Sequence, residues 1–339
     1  MNLNIIGNGF DLYHGLPTTY YDFACYILSH DEEFYILMAN MFGFSYGISR
    51  GFPSDEIDFA IDDLGYWRYF EEKLGYLNPL WLEGSLVDDL HLEIPDAVDL
   101  EVEGSENVDE IKRRMSLWID NYVDVEENYL IVKNNIGEAR INLSEEDAWV
   151  SFNYTHTLEK VYGIEDVLHI HGEGHSNELL IIGHGNDEAI ENIKANLSKL
   201  EENTFDQASR NRENEYLAEI DILESLRKPV YLCISDLKRY IEYYPSINNI
   251  IVWGMSLSDV DMPYLQAIHE KFPGCKWQFS YYENDKAVKR VVNKLGIEKN
   301  KYSIFKFRND NSRIIRDKII KARNIKVYPT IEGRLKHIM

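Results

Sequence analysis

Paired cysteines, long apolar runs and an excess of positive charge are all missing from this chain of 339 residues. Cys25, Cys233 and Cys275 are odd in number, far apart and without a C-x-x-C, which excludes a disulfide framework and a cysteine-based zinc site and fits reduced thiols in a cytoplasmic protein. No stretch approaches the twenty or so apolar residues of a membrane span, and no basic segment leads into an apolar one at the start, so neither a membrane nor a secretory route is expected. Lys and Arg number 35 against 58 Asp and Glu, a formal charge of −23. Nucleic acid is therefore not expected as a partner, because such a surface repels phosphates.

The charge is unevenly spread. Residues 84–110 hold ten acids and no Lys or Arg, whereas 299–339 hold 12 basic residues against 3 acids. We read the acidic stretch as a surface loop or a partner-facing segment. The basic tail reads as a solvated helix, roughly Ser312 to Arg323, that lies against its own acidic body or a partner subunit.

Short apolar runs alternate with longer amphipathic ones. That pattern predicts an α/β fold, doubly wound, with a mostly parallel Rossmann-like sheet and a helical insertion. Expected strands are Leu3 to Ile6, Ala148 to Phe152, Val167 to Ile170, Leu179 to Ile182, Asn249 to Trp253 and Trp277 to Tyr282, most of them running into a polar or glycine-bearing loop where open α/β sheets bind ligands. The core is expected over 1–19 and 148–298. An acidic, aromatic-rich insertion at 20–147 is expected to form helices near Tyr20 to Met41, Asp55 to Leu74 and Val108 to Asn135. A charged helical arm at 187–226 and a basic C-terminal segment at 299–339 complete the organisation.

The first strand runs straight into Gly7-Asn8-Gly9-Phe10-Asp11, followed by His14-Gly15-Leu16-Pro17-Thr18-Thr19-Tyr20. Two glycines two apart can turn with positive φ and approach a ligand's phosphates or ribose, although Gly15 comes too late for G-x-G-x-x-G. His169 and His171, two apart on an expected strand, should share a face. His171, next to Gly172, suits a general base, and His169 suits a sheet histidine bonded to backbone; with His175, His184, Asp259 and Asp261 the pair could also hold a metal. Asn153 and Thr155 either contact a ligand or cap a helix beginning near His156. Ser256, Ser258, Asp259 and Asp261 after Gly254 face the same choice. The mouth of the first loop suits Asp11 for a ribose hydroxyl or for a base.

The first loop resembles the signature of the AbiH family of bacterial phage-abortive-infection proteins. Phe152-Asn153-Tyr154-Thr155-His156-Thr157-Leu158-Glu159, His169-Ile170-His171-Gly172 and Gly254-Met255-Ser256-Leu257-Ser258-Asp259-Val260-Asp261 with Tyr264 resemble its later blocks, and Trp67 with Glu71, Glu72 and Leu74 a weaker one. The same order of blocks is distantly similar to sirtuins and to sirtuin-like NAD-consuming defence effectors. That similarity implies NAD as substrate and no metal, with Asn153 and His171 catalytic. The nucleotide would be met by Gly7, Asn8, Gly9, Phe10, Asp11, Gly15, Pro17, Thr18, Tyr154, His169, Gly172, Gly254, Ser256 and Asp259. Thr18 and Thr19 replace the sirtuin acid and arginine, Thr155 replaces an Asp, and the paired cysteines are missing, so protein deacylation is not expected.

The resemblance implies an abortive-infection effector that hydrolyses the nicotinamide–ribose bond of NAD. A non-catalytic nucleotide-binding sensor or regulatory subunit is the alternative, and a metal-dependent nuclease a weaker one. A toxic activity needs restraint, so a homo-oligomer or a partner defence protein is expected.

Overall fold

The computed structural model describes residues 1–44, 46–50, 57–61, 66–82, 97–178, 180–201 and 207–329. Its strands are β1 (Asn2–Ile6), β2 (Tyr46–Arg50), β3 (Ile57–Ile61), β4 (Ala148–Ser151), β5 (Val167–His169), β6 (Asn249–Trp253), β7 (Lys276–Tyr281) and β8 (Tyr302–Lys306). Helices α1 (Asn8–Tyr13), α2 (Tyr20–His30), α3 (Glu32–Phe42), α4 (Phe70–Lys73), α5 (Pro79–Leu82), α6 (Ala97–Trp118) and α7 (Glu126–Asn135) precede β4. They are followed by α8 (Asp187–Glu201), α9 (Gln207–Ser225), α10 (Val230–Glu242), α11 (Met262–Lys271), α12 (Lys286–Leu295) and α13 (Ser312–Ala322). Among the described residues no helix is long and apolar enough to cross a membrane.

The chain divides into two compact units, one of Met1–Thr19, Ser116–Ile181 and Pro229–Ile325, the other of Tyr20–Met115, Ile182–Lys228 and Lys326–Met339. The first contains a six-stranded sheet in the order β5-β4-β1-β6-β7-β8, every neighbouring pair parallel. Numbered by its own strands, that order is 3-2-1-4-5-6, the doubly wound arrangement of dinucleotide-binding folds, and the α/β class matches the sequence expectation. The winding reverses between β1 and β6.

Alternation along the strands builds the two faces of this sheet. Leu3, Ile5, Val150, Ile250, Val252, Trp277 and Phe279 pack against Leu237 and Ile241 of α10, Tyr264, Leu265 and Ile268 of α11, and Val288, Val291 and Val292 of α12. On the other face Ile6 and Trp149 pack with Phe10, Leu158, Ile164 and Phe307. The basic tail belongs to this unit as far as Ile325. β8 forms the sheet edge, and Ile315 and Ile319 of α13 are buried with Leu16, Tyr129, Val132 and Val161.

Several expected elements differ. Leu180 to Ile182 forms no strand (residue 179 is outside the described set); Ile181 N donates to His171 O at 2.9 Å, and burial alone gave the run its strand-like look. The expected Asp55 to Leu74 helix contains β3, paired antiparallel with β2, as the alternation Ile57-Asp58-Phe59-Ala60-Ile61 should have signalled. Residues 55–56 and 62–65 of that region, and 84–96 of the acidic stretch, lie outside the described residues. The Tyr20 to Met41 helix is broken at Asp31, whose Oδ1 accepts from Phe34 N at 2.9 Å and caps α3. The Val108 to Asn135 helix passes through a π-turn, Ile119–Val123, and stops at Asp124. Of the expected insertion, 20–115 belongs to the second unit and 116–147 to the sheet-bearing one; the 187–226 arm, as α8 and α9, belongs to the second.

Candidate functional site at the strand ends

The glycine turn after β1 is built for contact with the protein itself. Gly7 is extended at φ −122°, and Gly9 is absent from the positive-φ glycines, which include Gly15, Gly172 and Gly254. The expected positive-φ turn at Gly7 and Gly9 is therefore not found, because both are needed for close packing. A Cβ on Gly9 would lie 2.6 Å from Gly254 O, and one on Gly7 2.8 Å from Met255 Cα. Gly7 N donates to Trp253 O at 3.0 Å, Gly9 N to Gly254 O at 2.7 Å and Phe10 N to Gly7 O at 2.8 Å. The first two amides join the ends of β1 and β6, and the third closes the turn itself.

Side chains supply the chemistry at this point. Asp11, 1 % exposed, accepts from Thr155 Oγ1 at 2.7 Å and from Thr157 Oγ1 at 2.6 Å. Burial pushes its carboxyl up from 3.8 to about 6 against those hydrogen bonds, with the nearby Asp124 charge acting in the same direction as burial. Asn153 follows β4; its Nδ2 donates to Gly7 O at 3.1 Å, and its backbone N donates to Ser151 Oγ at 3.1 Å. Neither Asn153 nor Thr155 caps the next helix, a π-turn at Leu158–Tyr162 that has no side-chain cap.

Beside Asp11 lies a second charged group. Asp124 accepts from His156 N at 2.9 Å, from His156 Nδ1 at 2.6 Å and from the Tyr129 hydroxyl. Burial is the largest single influence and would raise the Asp124 carboxyl, but the hydrogen bonds and charge of His156 together with the Tyr129 hydroxyl outweigh it and hold the group below its ordinary value. The same bond lifts His156 to about 9, aided by Glu159 and Glu173. His169 donates from Nδ1 to Asn153 O at 3.1 Å and reaches Glu159 Oε1 from Nε2 at 2.8 Å. Burial, the largest single influence, disfavours its charge, yet the Glu159 hydrogen bond and charge together with the Asn153 carbonyl prevail and its pKa is raised. Two π-turns, Ile119–Val123 and Leu158–Tyr162, lead into this cluster or out of it, a distortion that often marks functional positions.

His169 and His171 do not converge. β5 ends at His169, so the two-residue alternation stops there; His171 packs edge-on against Phe152 and Tyr264, with Nε2 3.4 Å from the Tyr264 hydroxyl. Among the described residues, the side chains close enough to share an ion are His156, His169 and Glu173. His184 lies in the second unit, where its Nε2 donates to Leu223 O at 2.9 Å.

Other candidates scatter. Gly15, at φ 76°, abuts Ser312 of α13, and Pro17 is buried. The Thr18 carbonyl accepts from Asn8 Nδ2 at 2.8 Å, while its hydroxyl is buried without a partner. Phe10 is a core residue, and the Tyr154 hydroxyl donates to Ile181 O at 3.1 Å. Gly172 makes the turn after His171 at φ 83°. Ser256 and Ser258 bind Asp261 Oδ2 at 2.7 and 3.1 Å, closing a capping box before α11, and Asp259 pairs on the surface with Lys294 at 2.7 Å. Two clefts in this unit, one bordered by Asn2, Ser144 and Asp147 and one by Lys306, Arg308 and Asp310, are lined by none of the motif loops.

The family model described as bacteriophage abortive infection AbiH matches residues 3–281, from β1 through β7 and across every group named in the cluster. The chain belongs to the AbiH family. Membership assigns it, at that level, an abortive-infection role. No curated protein and no solved structure matches it. Within this AbiH chain, sequence reasoning missed Asp124, His156, Glu159 and Glu173 as site residues. His156 and Glu159 stood inside a quoted block, three positions apart, and that spacing was the available signal.

Proposed function

We propose that this AbiH protein acts in abortive infection by binding NAD or a related nucleotide at the β1/β6 switch point and hydrolysing its nicotinamide–ribose bond. The observation that carries the reading is the 3-2-1-4-5-6 strand order, with the buried pair Asp11, on α1 after β1, and Asn153, just after the neighbouring strand β4, beside the point where the winding reverses. Asp11, ionised above about pH 6, supplies negative charge toward a cationic ribosyl state, and Asn153 holds a ribose hydroxyl or the attacking water. His171 accepts the proton of that water. With the Gly7, Gly9 and Phe10 amides bonded to protein, the ligand is held mainly by side chains, and the Gly254 loop moves off Gly9 to admit it. No step needs a metal ion.

The test is incubation of the purified protein with NAD, following nicotinamide and ADP-ribose by chromatography. Release from the native chain that falls at least 100-fold in Asn153→Ala and His171→Ala supports the reading. A folded chain that binds NAD by calorimetry without releasing nicotinamide overturns hydrolysis and favours the sensor alternative, to which the packing of His171 between Phe152 and Tyr264 already lends weight. Oligomerisation or a partner protein would restrain the activity in uninfected cells.

A further inference from the structure

We propose that His156, His169 and Glu173, with Glu159 beside them, form a binding site for one divalent transition-metal ion of the zinc class. His156 Nε2 lies 3.3 Å from Glu173 Oε2, and His169 Nε2 lies 3.7 Å from the same oxygen and 2.8 Å from Glu159 Oε1. Ligands about 2.0–2.1 Å from a tetrahedral ion stand roughly 3.3 Å from one another, so these separations need little adjustment.

The outer contacts are those of a metal centre. His156 Nδ1 bonds to Asp124 Oδ2 at 2.6 Å, and His169 Nδ1 to the Asn153 carbonyl at 3.1 Å. Each bond occupies the far nitrogen and turns Nε2 toward the cluster, as the second partner of a ligating histidine does. Glu159 supplies an independent sign: its Oε2 is buried with no hydrogen-bond partner, and a cation would satisfy it. The Glu173 side chain is 46 % exposed, which leaves a path for the ion and room for a water ligand.

Two imidazoles with carboxylate select zinc, cobalt or nickel over magnesium or calcium. The ion would tie the turn carrying Glu173 to the ends of β4 and β5. This lies outside the nucleotide chemistry proposed above and does not depend on it.

The competing account is that the same contacts are only ion pairs of protonated imidazoles. Protein purified without chelator, dialysed against EDTA and titrated with Co²⁺ separates the two through the visible absorption of bound cobalt, with zinc back-titration and metal analysis for stoichiometry. The expected result is one saturable site per chain, weakened about 10-fold or more in Glu173→Gln and in His156→Ala. His30→Ala, an exposed histidine of α2, should change nothing. Glu173 is half-exposed, so its variant should fold, as circular dichroism would check. Absence of a saturable site in the folded native chain, or equal affinity in Glu173→Gln and His156→Ala, overturns the proposal. Neither readout involves nicotinamide, so the site can fail while hydrolysis stands, or the reverse.

Discussion

Thr155 donates its hydroxyl to Asp11 at 2.7 Å, joining the segment after β4 to α1, 144 positions away in the chain. The sirtuin-like pattern would place an acid at position 155. In this fold that position receives the acid from the first loop, and Thr157 binds its other oxygen at 2.6 Å.

Asp11 should leave a signature in stability against pH. Its folded value, about 6, exceeds the ordinary 3.8, so the native state holds the proton more tightly than the unfolded chain. The contribution to stability is therefore greatest below about pH 4, falls as pH rises to about 6 and stays low above, by about 3 kcal/mol. Asp11→Asn should remove that step. The measurement is the difference in Tm between the native chain and the variant from pH 4 to 7; a difference independent of pH would contradict the burial of an ionisable carboxyl there.

Gly254→Ala should be severely destabilising. The residue sits at φ 61°, and a Cβ there would stand 2.4 Å from Gly9 C and Phe10 N. The backbone alone costs about 1–2 kcal/mol for a non-glycine residue, before the clash is counted. Gly274→Ala, whose Cβ meets nothing within 4 Å, should stay within about 0.5 kcal/mol. Urea denaturation of both variants checks the contrast.

Asp124→Asn should cost about 3 kcal/mol, because the side chain is 1 % exposed and its loss of charge leaves His156 and Tyr129 facing an amide that cannot accept from all of them. Tyr129→Phe keeps the ring and removes one hydroxyl, so about 1 kcal/mol is expected. Calorimetry at pH 7 should rank the two in that order.

In the second unit, Lys228 is buried and pairs with Glu71 at 2.8 Å. Glu71→Gln should destabilise by about 3 kcal/mol by stranding a buried ammonium. Glu71→Leu combined with Lys228→Met should recover most of that loss. A single variant no worse than the double would show that the charge is solvated.

The strands were legible where the signal is local. β1, β4, β5, β6 and β7 each announce themselves by apolar residues running into a polar or glycine-bearing loop, and family blocks fall on the loops after β1, β4, β5 and β6. β2, β3 and β8 were missed, the last two for different reasons. The alternation from Ile57 to Ile61 was absorbed into an expected helix, and the Tyr302 to Lys306 strand was masked by the basic charge around it. Asp124 was hidden inside an expected continuous helix, since nothing local marks a π-turn.

The sequence by itself determined the α/β class, the parallel sheet and the loops at which polar groups gather, because strand apolarity and turn residues act over a few positions. It also determined the family, whose motifs are short and ordered. Tertiary structure decided which polar groups meet. It set Asp11 against Thr155 and Thr157, His156 against Asp124, and His169 apart from His171, and it gave the glycines of the first turn to Gly254 and Met255. Those pairings depend on strand order and on burial, which shifts each carboxyl and imidazole by what surrounds it, and no spacing along the chain encodes either.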